Sequence, residues 1–145
     1  MEPFIVFIGV SVKDMGISKY TDYLLNPIGF VKSTISVGDH MPTGGVEASV
    51  ELLTKYEKGL KNICSNSHIL VLGWLQEVDR STLTISKHRY PDRGVFGLRS
   101  PGRINPIGLT AAKITDIQDA EVFLDHIDMF DGTPIIDLKR YSPSW

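Results

Sequence analysis

Read from Phe4 onward, the chain is a succession of short apolar or alternating segments separated by Gly, Pro and Asn. Phe4 to Val12 is rich in Val, Ile and Phe and predicts a strand, and the following SKYTDYLL predicts a short helix capped by Ser18 and stopped at Asn26-Pro27. Ile28 to Val37 is β-branched, and Val46, Ala48, Val50 and Leu52 put an apolar residue at every second position, as in a half-buried strand. Thr54 and Glu57 have the spacing of a capping box, which predicts a helix over Tyr56, Leu60 and Ile63 that Gly59 weakens. His68 to Leu75 is almost wholly apolar and reads as a strand buried on both faces. Ser81 to Ser86, Gly94 to Leu98, Leu109 to Ile117, Ala120 to Ile127 and Pro134 to Leu138 continue the series, with a turn at Gln118-Asp119. Seven or eight strands, one or two short helices and no βαβ rhythm predict a mainly β protein, an antiparallel or mixed β-barrel rather than a Rossmann sheet.

Composition narrows the class. At 145 residues the chain has the size of one domain, and no apolar run approaches the roughly 20 residues of a membrane span. The N-terminal MEPFIVFIGV carries Glu2 where a signal peptide wants a cation, so no export is expected. Fifteen Lys and Arg against 17 Asp and Glu give a net charge of −2, so nucleic-acid binding needs a local basic patch. Lys87, His88, Arg89 and Arg93 form such a cluster, which is also the composition of an ordinary solvated face. The single cysteine, Cys64, fits a reducing compartment and excludes an internal disulfide. His40, His68, His88 and His126 lie far apart with no metal-ligand spacing, so no metal is expected. His68 reads as a core histidine and Trp74 as a core aromatic.

Candidate chemistry concentrates in RSPGRINPIG, Arg99 to Gly108, and in DGTP, Asp131 to Pro134. Two prolines and two glycines make the first a shaped irregular loop. Arg99 and Arg103 on it present guanidinium forks suited to an anion; the plainer account makes them surface or ion-pair residues. Asp131 either shapes a site or closes an Asp-Gly turn through its backbone bonds.

The segments SHILVLGW, GVFGLRSPGRINPIGLT and DMFDGTPIIDLKRYSP stand in this order, and together they resemble the TsaA-like family, which includes the TrmO tRNA methyltransferases. The resemblance covers about Pro27 to Pro143. It divides the chain into an N-terminal extension, 1–26, packed on a TsaA-like barrel, 27–145. It implies a single-sheet barrel that binds S-adenosylmethionine outside a Rossmann fold, a homodimer, and methyl transfer to N6 of the threonylcarbamoyl-adenosine beside a tRNA anticodon. Such an enzyme would be cytoplasmic. The cofactor contacts it implies are Met41, Pro42 and Thr43, Gln76 and Glu77, Arg99, Leu109, and the run Asp125, His126, Ile127, Asp128. Arg103 and Asp131 take the catalytic places, and Lys87, Arg89 and Arg93 the RNA-binding ones. Gln76 departs from the family's usual His and does not titrate near neutrality, so it supports hydrogen bonding rather than general-base work. Ile104 departs from a usual Pro. A methyltransferase of small molecules and a non-catalytic cofactor-binding module are the competing readings.

Overall fold

The computed structural model describes the backbone of residues 6–8, 23–87 and 90–142, and the side chains of 25–86 and 92–142. Ten strands are present among them: β1 Val6–Ile8, β2 Tyr23–Leu25, β3 Gly29–Lys32, β4 Val46–Leu52, β5 His68–Trp74, β6 Thr84–Lys87, β7 Tyr90–Gly94, β8 Ile107–Gln118, β9 Glu121–Ile127 and β10 Pro134–Arg140. Six of them close a barrel in the order β10-β3-β4-β9-β8-β5, with every neighbouring pair antiparallel. The expected single-sheet barrel is therefore present. β1 with β2 and β6 with β7 form separate two-stranded ribbons.

Alternation decides which side chains enter the barrel. On β5 Ile69 and Val71 face in, and on β8 Ala112 and Ile114 do the same; with Val31, Val50, Val122, Leu124, Ile127 and Ile135 they make one core, each at most 2 % exposed. Each such Val or Ile contributes about 1.5–3 kcal/mol relative to leaving it in water. Register shifts between Val46 and Ala48, between Ile135 and Asp137, and between Ile114 and Asp116 bend the strands so that a six-stranded sheet can close.

Several local expectations are corrected. Tyr23–Leu25 pairs with Val6–Ile8 as a strand, so the helix expected over Ser18 to Leu25 does not extend to its C-terminal end; residues 9–22 lie outside the described part. The Thr54–Glu57 capping box does not form. Leu53 holds the N-cap place without a side-chain bond, and Thr54–Leu60 is a 3-10 helix. Leu53 N–H bonds Ile28 O, which ties the segment's start to the barrel and leaves the short tighter helix as the connection. Gly94 to Leu98 is no strand: Gly94 ends β7, and Val95–Gly97 is a single 3-10 turn over buried Val95. Trp74 is buried as expected, but His68 is exposed at the start of β5 and meets Tyr141.

Candidate cofactor and substrate cavity

The Trp74 end of β5 and the Ile107 end of β8 open into a cavity of about 930 Å³. Four chain segments with no reason to be neighbours in sequence meet there. Gly45, at φ +82°, is the first device that makes this possible: a Cβ there would stand 2.3 Å from Ile127 O, so only glycine lets the Met41–Gly45 loop lie against the end of β9. Gly45 N–H also bonds Pro42 O, closing the turn that brings Met41 to the wall.

The second device is a pair of glycines facing each other across the β5–β8 ladder. Gly73 and Gly108 are direct partners, and a Cβ on either would meet the buried side chain of Met129, at 2.5 Å from Sδ for Gly73 and 3.0 Å from Cε for Gly108. Met129 thus fills a glycine window and floors the cavity. Its chain neighbours Asp128 and Phe130 line the wall on either side.

The loop Arg99 to Pro106 supplies the opposite wall, and its shape is held by cations. Arg99 Nη2 donates to Leu109 O at 3.0 Å, and Arg103 Nη2 donates to Val95 O. Arg80 donates through Nε to Ile104 O at 2.9 Å while its guanidinium lies 5.2 Å from the centre of the Trp74 ring. Both loop arginines line the cavity with donors remaining, because a guanidinium carries five N–H groups.

The acidic side is equally specific. Thr110 Oγ1, on a buried inward-facing residue of β8, donates to Asp128 Oδ1. Asp131 accepts the Ser33 N–H at 2.9 Å, and its own N–H bonds Ile35 O, fastening the DGTP turn to the segment after β3. Gly132 completes that turn at φ +76°. Asp125 Oδ1 accepts from Lys113 N–H and sits 2.8 Å from His126 Nδ1; partial burial raises its pKa, but these bonds outweigh it and the carboxyl stays below its ordinary value.

Of the residues singled out from sequence, Met41, Gln76, Arg99, Arg103, Leu109, His126, Asp128 and Asp131 line this one cavity. Pro42, Thr43, Glu77, Asp125 and Ile127 do not line it; Ile127 is core, and Glu77 occupies a left-handed turn at φ 56° beside Gln76. Arg93 is exposed on β7 opposite Ile85, one residue before the strand leads into the loop wall. Arg89 and the side chain of Lys87 lie outside the described residues. Thr110, Met129 and Thr133 also belong to the cavity and were not singled out. The alternation Thr110, Ala112, Ile114 and a glycine, Gly73, inside a strand that reads as buried were the signals for them.

Comparison with known proteins decides the family. Residues 38–145 match the model of the tRNA-methyltransferase O N-terminal domain. The chain belongs to this family. An "S-adenosyl-L-methionine-binding protein" of Archaeoglobus fulgidus is 35% identical over 125 residues, covering 83% of this chain and 90% of that protein. A mouse tRNA (adenine(37)-N6)-methyltransferase is 52% identical over 48 residues, 33% of this chain and 11% of that one. A crystal structure of TrmO from P. aeruginosa superposes with a TM-score of 0.70 at 25% identity, covering 88% of this chain and 58% of that chain. The TsaA-like resemblance read from the three motifs is thus confirmed, and this chain spans little more than half the length of the solved TrmO structure.

Proposed function

We propose that this chain transfers the methyl group of S-adenosylmethionine to N6 of an adenine in tRNA, the threonylcarbamoyl-adenosine beside the anticodon. Family membership supports the reaction class and the cofactor, and the name of the mouse relative supports a tRNA adenine. The observation that carries the reading is the convergence of Arg99, Arg103, Gln76, His126, Asp128 and Asp131 on one cavity of about 930 Å³, a volume suited to a cofactor-sized ligand.

The donor set fits the cofactor chemically. Bound S-adenosylmethionine supplies an electrophilic methyl on a sulfonium together with a carboxylate, an ammonium and an adenine. Arg99 and Arg103 are the groups for the carboxylate, Asp128 for positive charge, and the Gln76 amide for a base edge. Displacement at the methyl needs alignment more than acid or metal assistance, which the rigid walls provide. The accepting amine is a weak nucleophile whose lone pair is delocalised into the ring; Asp131, committed to Ser33 N–H through one oxygen only among the described residues, is the group to accept its hydrogen.

The rim adds a second element to the proposal. Val37, Ile107 and Leu109 line the cavity yet are 57%, 40% and 48% exposed, and Phe96 nearby in sequence to the loop wall is 82% exposed. A two-fold dimer would cover this apolar surface and complete the site. RNA would approach along the exposed Arg93, with Lys87 and Arg89 its basic neighbours in sequence.

The deciding experiment is incubation with methyl-labelled S-adenosylmethionine and unmodified or threonylcarbamoylated tRNA, followed by nucleoside analysis. Label in N6-methylated threonylcarbamoyl-adenosine is the expected result. Label only in small molecules, or cofactor binding without turnover, would replace the reading.

A further inference from the structure

At the opposite end of the β5–β8 ladder, about 20 Å along a strand of this length, the barrel has a second mouth, a cleft of about 430 Å³. Its floor is apolar, formed by Ile69 and Leu138 among others, and its rim carries His68, Arg140 and Tyr141. Arg140 pairs with Ile69 across β10–β5 and so shares the inward face of the sheet. It has no carboxylate partner among the described residues. The His68 and Tyr141 rings stand 6.0 Å apart at 55°.

A neutral apolar guest would leave the guanidinium at this mouth uncompensated, and a bare anion would leave the apolar floor and the ring pair unused. A guest with a flat ring and an anionic group uses both. We propose that this cleft is a second binding site, separate from the cofactor cavity, for one nucleotide unit: the base over the apolar floor against the His68–Tyr141 edge, and the phosphate on Arg140. The unit comes either from free nucleotide or from a strand of RNA, and the chemistry that recognises it is the same.

The test is residue-resolved magnetic resonance on the isotope-labelled full chain, titrated with adenosine 5′-monophosphate, with adenosine and with a short oligoadenylate. The signals of His68, Ile69, Arg140 and Tyr141 are expected to move with the monophosphate, with adenosine at least about tenfold weaker and with Arg140→Gln weakening the monophosphate by a similar factor, as for loss of a charge-assisted bond. An oligoadenylate that binds more tightly, with an affinity that falls as salt rises, identifies RNA as the source; equal affinity identifies free nucleotide. The signals of Asp128 and Met129 report the cofactor cavity separately, so its behaviour does not decide this test. Absence of movement at the cleft with millimolar monophosphate, or an Arg140→Gln affinity equal to that of the unaltered chain, overturns the proposal.

Discussion

The hydroxyl of Thr110 donates to the carboxylate of Asp128, and this one bond joins β8 to the segment leaving β9 inside the cavity proposed for the cofactor. Thr110 is buried while Asp128 is exposed, so the threonine fixes the direction of a carboxylate that otherwise samples several rotamers. Thr110→Val keeps the shape and removes the donor. It is expected to cost about 1.5 kcal/mol of stability, the low end for a charged hydrogen bond because one partner meets water. Its larger effect is on S-adenosylmethionine affinity, a several-fold loss by calorimetric titration that Thr110→Ser restores. Unchanged affinity in Thr110→Val would remove the pair from the binding machinery.

The two arginines of the loop wall differ in their attachments from the Arg80 that supports them. Arg99→Ala removes a group of the proposed binding site and is expected to weaken cofactor binding by about 1.5–3 kcal/mol. Arg80→Ala removes the bond to Ile104 O and the cation over Trp74 without touching the cavity lining. Hydrogen exchange should therefore rise over residues 99–106 in Arg80→Ala, with a smaller loss of affinity than in Arg99→Ala. Equal exchange in the two proteins would show that the loop does not depend on Arg80.

Two glycine substitutions should separate rigid from yielding contacts. At Gly29 a Cβ would meet Glu51 O at 2.4 Å, and this backbone, held where β3 pairs with both β4 and β10, cannot move aside. At Gly73 it would meet Met129 Sδ at 2.5 Å, the flexible part of a side chain. Gly29→Ala is thus expected to cost about 3 kcal/mol or more, and Gly73→Ala about 1 kcal/mol. The displaced Met129 in Gly73→Ala would intrude on the cavity and lower cofactor affinity, and Gly73→Ala with Met129→Ala would relieve it. Denaturant unfolding and calorimetry of the three variants check the order; Gly73→Ala as damaging as Gly29→Ala would contradict it.

How far the sequence discloses this arrangement follows from the range of each signal. Alternation is local, so Val46 to Leu52 declared its inward face, and a run of short strands without a βαβ rhythm declared a β protein, whereas His68 to Leu75 is almost wholly apolar and did not disclose which side faces in. The 3-10 helix at Thr54–Leu60 did not show, because Leu53 bonds Ile28 O, a contact between distant residues, and this sets where the helix begins. His68 looked buried because its neighbours are, yet it is the first residue of β5, where the barrel ends. In the cavity, the motif resemblance picked out Arg99, Gln76 and Asp131 one by one, whereas Thr110 and Met129 acquire meaning only once β8 and β9 are side by side. Ile127 illustrates the converse: it stands in a run with cavity residues, but strand alternation turns its side chain to the core.

Beside the loop wall stands a titrating group whose behaviour fixes a pH window. Asp79 Oδ1 accepts from Ser81 N–H and Ser81 Oγ, and its Oδ2 accepts from Thr82 Oγ1 at 2.6 Å. These bonds, the Thr82 hydroxyl first, hold the carboxyl down at about 2 against an ordinary value of 3.8. The turn abuts the loop wall, since a Cβ at Gly102 would lie 3.2 Å from Asp79 O. A carboxyl whose pKa is lowered by folding stabilises the fold fully above its unfolded value and ceases to do so as pH falls through its folded one. The contribution of Asp79 is therefore complete above about pH 4 and lost as pH falls toward 2. Carbon-detected titration of the side-chain carboxyl should show a midpoint near 2, and Asp79→Asn should lessen the dependence of melting temperature on pH across that window while leaving it unchanged near neutrality. A midpoint near the ordinary value would mean that the turn is not formed in solution.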